Sequence, residues 1–240
     1  MNISPDSIVL WHWGFLHINA TMVYTWVVML LLVGGSRLIT RRLSTGPEMS
    51  RWQNLLEVLV IGLRDQIRAL SRQDPDPYLP FIGTLFIFLL AANLLLIVPG
   101  YRPPTGSLST TTALAICVFV AVPTYGIANE GAIKYLSRYL KPTPLMLPFN
   151  LIGELSRTIA LAVRLYGNVM SGTVIVAILL TLTPFFFPAV MQLLGLITGA
   201  IQAYIFAVLA TVYVASATAV IKSAPPQSGA AQIDPQANSN

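Results

Sequence analysis

The chain has 240 residues, 55% hydrophobic and 10% charged, with mean hydropathy +0.71 and a formal net charge of +5. Soluble domains carry about 25% charged residues, so the composition excludes an ordinary soluble domain and predicts a single polytopic membrane domain over residues 1–222. The basic residues flank apolar runs and do not gather on a polar face, which points to membrane orientation and not to nucleic acid. The single cysteine, Cys117, lies in an apolar run, so neither an internal disulfide nor a cysteine-based metal site is possible.

In chain order, residues 1–18 hold Trp11, His12, Trp13, Phe15 and His17. Aromatic residues of this kind favour the membrane–water interface. Two histidines five apart make a poor helical ligand pair, and no metal site is expected. A basic region before the first span is lacking, so no cleavable signal peptide is read. Residues 19–38 form the first predicted span, followed at once by Arg37, Arg41 and Arg42. The positive-inside rule makes that end cytoplasmic and puts the N-terminus outside.

Residues 51–72 differ in character: Leu55, Leu56, Leu59, Leu63, Ile67 and Leu70 recur at helical steps among Arg51, Glu57, Arg64, Asp65, Arg68 and Arg72. Such a helix is too charged to span and is expected to lie along the cytoplasmic interface; a soluble hairpin packed on the membrane domain is the alternative. After the breaker run Asp74-Pro75-Asp76-Pro77 comes a second span, 79–98, carrying Asn93. An amide is costly in lipid unless it faces other helices.

The third span, 107–128, starts with Ser107, Ser109, Thr110, Thr111 and Thr112 and contains Pro123, a candidate kink. Its hydroxyls either line a polar vestibule or satisfy backbone groups near the helix start. Glu130, Lys134, Arg138 and Lys141 return the chain to the cytoplasm, and Pro142, Pro144 and Pro148 end that segment.

Residues 145–182 follow, and Arg164 is their pivot. As one helix they would run about 57 Å, against a hydrocarbon core of about 30 Å, so the helix must lean, break or leave the bilayer. After Pro184 and Pro188, residues 189–221 return to Lys222, and 223–240 read as a disordered cytoplasmic tail. The returning helix has small residues at four-residue steps, Gly195, Gly199, Ala203 and Ala207, with Gln202 beside them. This stripe permits close helix approach, expected against the preceding helix, with approach to a separate partner as the alternative.

An arginine at mid-membrane depth costs roughly 2.5–3.5 kcal/mol on insertion scales and marks a functional site with a partner. Arg157 and Arg164 are two helical turns apart and share a face with Asn168, and Glu154 lies one turn before Arg157. Arg164 is effectively never deprotonated, which makes it a fixed charge and a poor proton carrier. Glu154 is about 15 Å away along the helix. The missing anion then belongs to another subunit or a substrate, or else the arginine is held architecturally by Asn168, Gln202 or backbone carbonyls.

Three blocks carry a resemblance: Pro148-Phe149-Asn150-Leu151-Ile152-Gly153-Glu154, then Leu161-Ala162-Val163-Arg164-Leu165-Tyr166-Gly167-Asn168, then Ile201-Gln202-Ala203-Tyr204-Ile205-Phe206-Ala207-Val208-Leu209. They resemble subunit a of the F-type ATP synthase membrane (Fo) sector. So do Asn93 with Pro99 closing the second span, and Pro104-Thr105-Gly106-Ser107-Leu108-Ser109-Thr110-Thr111 opening the third. The resemblance covers nearly the whole chain. It implies an all-α integral membrane protein of about five transmembrane helices plus one interfacial amphipathic helix, the last two spans forming a long tilted hairpin.

It also implies a non-catalytic stator subunit without cofactor, beside a rotating ring of c subunits and the stator b subunits. Two half-channels for H+ or Na+ would reach the ring from opposite sides. Arg164 would meet the ring carboxylate and prevent an ion short circuit. Asn168 and Gln202 would support the arginine or line the path, and Glu154 would lie toward the cytoplasmic half-channel. Asn93, Ser107, Ser109, Thr173 and Tyr204 are further candidates for channel lining. The implied location is the bacterial inner membrane, C-terminus cytoplasmic.

One departure stands out. Many members carry an acid nine residues after the arginine, or a histidine seven before the glutamine; here those positions are Thr173 and Gly195. Water and hydroxyls would replace the usual relay, or the ion is Na+. The rival readings are a secondary transporter binding an anion at Arg164, and a membrane enzyme. The first usually shows a counterpart segment in the other half, and the second needs clustered catalytic groups; neither is found in the sequence.

Overall fold

A computed structural model describes residues 9–13, 16–41, 51–98, 101–140, 146–182 and 187–218. Seven helices are described: α1 (Ala20–Thr40), α2 (Arg51–Ser71), α3 (Leu79–Leu94), α4 (Leu108–Glu130), α5 (Ala132–Leu140), α6 (Met146–Leu182) and α7 (Phe187–Thr218). Five of them, α1, α3, α4, α6 and α7, are long and apolar enough to cross a membrane. The fold is that of an all-α integral membrane protein. In the aromatic N-terminal segment, Val9–Trp13 (β1) pairs antiparallel with Leu16–Asn19 (β2), His12 opposite His17. The expected tail at 223–240 lies outside the described residues.

α3, α4, α6 and α7 form the bundle, and α1 stands at its edge, resting mainly on α3. One core cluster joins Leu85 and Leu89 of α3, Ala115 and Val118 of α4, Leu161, Ala162 and Leu165 of α6, and Ala203, Phe206 and Ala210 of α7. The amphipathic α2 turns Leu63 and Ile67 inward: Leu63 lies by Gly83 of α3, and Ile67 joins a cluster with Tyr78, Ile82, Val214 and Ala217 at the end of α7. It leaves Trp52, Leu55 and Val58 exposed, an apolar flank suited to a bilayer surface. Gln73 Oε1 ties this corner together, accepting from Tyr78 Oη (3.1 Å) and Thr218 Oγ1 (3.2 Å). The exposed Arg64–Asp76 ion pair at 2.7 Å sits beside it, and such pairs contribute little.

α6 is one continuous helix of 37 residues. Its apolar stretch Pro148–Leu182 has 35 residues, about 52 Å long, so without a break it must lean in, or extend beyond, a core of about 30 Å. α4 also continues through Pro123. The charged segment after α4, given no secondary structure from the sequence, forms the short helix α5. It is reached through Gly131, whose φ of 84° and ψ of 152° fall in a region that is essentially glycine-only. A Cβ there would meet nothing within 4 Å, so the penalty is purely backbone. Gly131→Ala is expected to destabilise the chain by about 1–3 kcal/mol, read as a lower thermal midpoint in detergent. An unchanged midpoint would mean that the turn relaxes freely.

The small-residue stripe of α7 departs from the expectation at its glycines, while Ala203 does share a core cluster with Ala162 and Leu165 of the preceding helix. Gly199 faces α3 and Gly195 the turn just after it: a Cβ on Gly195 would lie 3.6 Å from Leu96 Cδ2, and one on Gly199 only 2.9 Å from Asn93 Cβ. Small residues announce that some backbone comes close; they carry no information about which one.

Candidate functional site

Asn93 is buried, and its amide explains the close approach. Nδ2 donates to Gly199 O at 2.9 Å, and Oδ1 accepts from Thr105 Oγ1 at 3.2 Å. From the other side, Asn168 Nδ2 of α6 donates to Thr198 O at 3.3 Å. Two consecutive carbonyls of α7 are thus held by asparagines from α3 and α6. Asn168 and Thr198 share a level, and α6 and α7 run antiparallel. One turn along each helix therefore brings Arg164 and Gln202 to a common level.

Arg164 is exposed on the outer face of α6, although it lies mid-helix in an apolar span. Among the described residues it makes no hydrogen bond or ion pair. Asn168 is engaged with Thr198, and Gln202 is buried with its Nε2 atom lacking a hydrogen-bond partner among the described residues. Arg157, two turns earlier, is held differently: its guanidinium lies over the Tyr213 ring, 5.8 Å from the centroid.

Two cavities flank this level and share no lining residue. The first, about 380 Å³, is lined by Asn150, Glu154, Arg157 and Thr158 of α6, Tyr213 and Ser216 of α7, and Tyr135 of α5, among others. The second, about 310 Å³, is lined by Asn168 and Thr173 of α6, Gln192, Thr198 and Gly199 of α7, Asn93, and the Tyr101–Arg102 turn. Along α6 the first ends at Leu161 and the second begins at Asn168, a gap of about 10 Å. The gap is filled by Ala162 and Leu165 packed on Ala203, Phe206 and Ala210.

The second cavity holds little that titrates. Arg102 is permanently charged. Burial, with the neighbouring Tyr24 phenol, pushes the Tyr101 phenol above its usual value, so it stays protonated at neutral pH. Thr173 and Gly195 both line this cavity, and the Thr173 hydroxyl donates to Met170 O at 2.8 Å. What remains is a set of amides, hydroxyls and carbonyls.

The other candidates are spread out. Ser107 and Thr111 are fully buried, and Thr111 Oγ1 donates to Leu108 O at 3.1 Å, the backbone-satisfying use of the hydroxyl-rich start. Ser109 and Tyr204 lie on the exposed surface, and neither borders the two cavities. Asn150, Tyr135 and Tyr213 join the first cavity without being sequence candidates. Asn150 stands one turn before Glu154 on the same face, a legible signal, whereas tyrosines in apolar helices read as core.

A family model described as ATP synthase A chain matches residues 22–215. The chain is a member of the ATP synthase subunit a family. It is 61% identical to ATP synthase subunit a 2 of Acaryochloris marina over 220 residues, 92% of this chain and 94% of that one. It is equally 61% identical to ATP synthase subunit a of Nitrosospira multiformis over 218 residues, 91% and 87% of the two chains. In subunit a terms, the arginine block lies on α6 and the glutamine block on α7, facing each other across one level of the bundle.

Proposed function

We propose that this chain is the stator subunit that gives a transported cation, H+ or Na+, two separate half-channels to a rotating c ring. Arg164 then receives each ring carboxylate in turn. The observation that carries this reading is a pair of cavities on either side of an exposed, mid-span arginine, divided by an apolar layer. A fixed cation on the outer face favours the ionised form of a carboxylate brought to it. It also repels a cation that would cross from one cavity to the other. The anion belongs to the ring, the stator b subunits and the remaining complex complete the assembly, and this subunit makes and breaks no bonds itself.

The Glu154 cavity is the cytoplasmic access and the Asn168 cavity the access from outside. The N-terminus is outside and the C-terminus cytoplasmic, in a bacterial inner membrane, with residues 1–222 as one membrane domain. A secondary transporter would enclose an arginine that binds a substrate anion, and Arg164 is open on the outer face.

The test is ATP-driven ion uptake by the whole complex in sealed inverted vesicles, wild type against Arg164→Ala, each with and without Na+. Loss of coupled uptake in an assembled Arg164→Ala complex supports the reading, and retained uptake overturns it. The Asn168 cavity offers neutral oxygens and no group that titrates near neutrality. If the wild-type complex carries Na+, uptake depends on Na+ and survives a protonophore; if it carries H+ along water, uptake is independent of Na+ and the protonophore collapses it.

A further inference from the structure

The Asn168 cavity has polar hydrogens on its walls turned away from it. Asn168 Nδ2 donates to Thr198 O at 3.3 Å. A carbonyl only accepts, so the amide nitrogen must face it and Oδ1 points the other way. That oxygen accepts nothing among the described residues and is not enclosed. The Thr198 hydroxyl gives its hydrogen to Gly195 O at 3.1 Å, and the Thr173 hydroxyl to Met170 O at 2.8 Å. A hydroxyl has one hydrogen and two lone pairs, so both threonines keep their lone pairs. All three residues are half-buried and line this cavity. Asn168 and Thr198 share a level, and Thr173 lies about 7.5 Å farther along α6, where Gln192 of α7 falls at the same height.

We propose that these oxygens form a two-step site for partly dehydrated Na+ in the outer access, Thr173 Oγ1 at the first step and Asn168 Oδ1 with Thr198 Oγ1 at the second. The proposal rests on the half-channel reading and takes its Na+ branch. Oxygen lone pairs replace part of a cation's water shell, and weak sites in a row let an ion enter and leave. Water completes the shell at each step. The same geometry is unsuited to a proton relay through side chains. A relay group must accept one hydrogen and hand on another, and these hydroxyl hydrogens are already held by backbone carbonyls. Arg102, the one charged residue in the lining, has donors only and supplies no ligand. The Tyr101 phenol oxygen is enclosed and supplies none either.

The test uses the whole complex in inverted vesicles, whose lumen corresponds to the outside. ATP synthesis is driven by a potassium diffusion potential, and initial rates are measured as luminal Na+ is varied against choline at fixed pH. The wild-type rate is expected to saturate with luminal Na+. Thr173→Val and Thr198→Val keep the shape and remove a ligand, so each should raise the half-saturating luminal Na+ about three- to tenfold, the effect of one lost neutral hydrogen-bonding oxygen. Thr173→Ser and Thr198→Ser keep the hydroxyl and should restore the wild-type value. Half-saturation by Na+ on the cytoplasmic side, read from ATP-driven uptake, should stay in place in all four variants, because that access is the other cavity. Should one valine variant fail to assemble, the other decides.

A merely structural role for the threonines would lower the maximal rate in both directions and leave luminal half-saturation unchanged; that outcome overturns the proposal. So does a serine variant that behaves like its valine counterpart. Wild-type synthesis that runs at full rate without luminal Na+ means that protons cross along water, and the site falls while the half-channel reading stands. Arg164→Ala in the same vesicles separates the two ideas. If it still couples ATP hydrolysis to uptake, the half-channel reading falls and takes this proposal with it.

Discussion

Arg164→Ala is expected to abolish ATP-driven ion uptake while the complex still assembles. Assembly should survive because Arg164 is exposed and makes no hydrogen bond or ion pair among the described residues, and substitutions at such positions usually change stability by under about 0.5 kcal/mol. Transport should not survive. A guanidinium about 4 Å from a carboxylate at an effective dielectric of 20 favours the ionised form by about 4 kcal/mol. That is near a thousandfold bias toward giving up the ion. Without it, a neutral ring site passes the level of Gln202 still loaded, and rotation no longer obliges release. Passive ion flux through the membrane sector should persist or rise, since the charge dividing the two cavities is gone. Arg164→Gln tests charge apart from hydrogen bonding and should fail like alanine. Arg164→Lys keeps the charge without the planar fork and should fall between. Coupled uptake in the alanine variant would return the arginine to an architectural role.

The sequence and the structure agree where the determining physics is local. Span length, hydropathy and the charges between spans are properties of short windows, so α1, α3, α4, α6 and α7 were placed within a few residues, and α2 was recognised from its mixed periodicity. Arg164, Asn168 and Glu154 could be singled out because a polar group in an apolar helix is conspicuous at any resolution. What was not legible depends on residues far apart in the chain. Asn93 and Gly199 are separated by 106 positions, and nothing in either window names the other. The partner of the Gly195–Gly199 stripe was misassigned for the same reason. The Glu154 cavity includes Tyr135 and Tyr213, side chains indistinguishable in sequence from core aromatics. The N-terminal hairpin lay beneath an aromatic bias that suits an interface in any conformation.

Gly199→Ala is expected to be a strongly destabilising single-methyl change at the α3–α7 contact. The added Cβ would lie 2.9 Å from Asn93 Cβ and 3.0 Å from its Cγ. Neither atom is the far end of a flexible chain, so α3 and α7 must separate. Overpacking of this kind costs about 1–3 kcal/mol, and the Asn93–Gly199 bond goes with it, adding roughly 0.6 to 1.7 kcal/mol on the scale of hydrogen bonds measured within membranes. Gly195→Ala, one turn away on the same stripe, is the control. Its Cβ would sit 3.6 Å from Leu96 Cδ2, ordinary contact, and stability should hardly change. The thermal midpoint of the detergent-solubilised complex reads both. Asn93→Gly removes both the obstructing Cβ and the amide, so the double variant should be less destabilised than the sum of the singles, with a coupling of about 0.5–3 kcal/mol. Strict additivity would mean that the two residues do not meet as described. Function should follow geometry: if the asparagines from α3 and α6 fix α7 at Thr198 and Gly199, loosening the α3 side shifts Gln202 relative to Arg164. Gly199→Ala then lowers coupled transport more than its loss of stability explains, although no charge or channel-lining polar group has been removed.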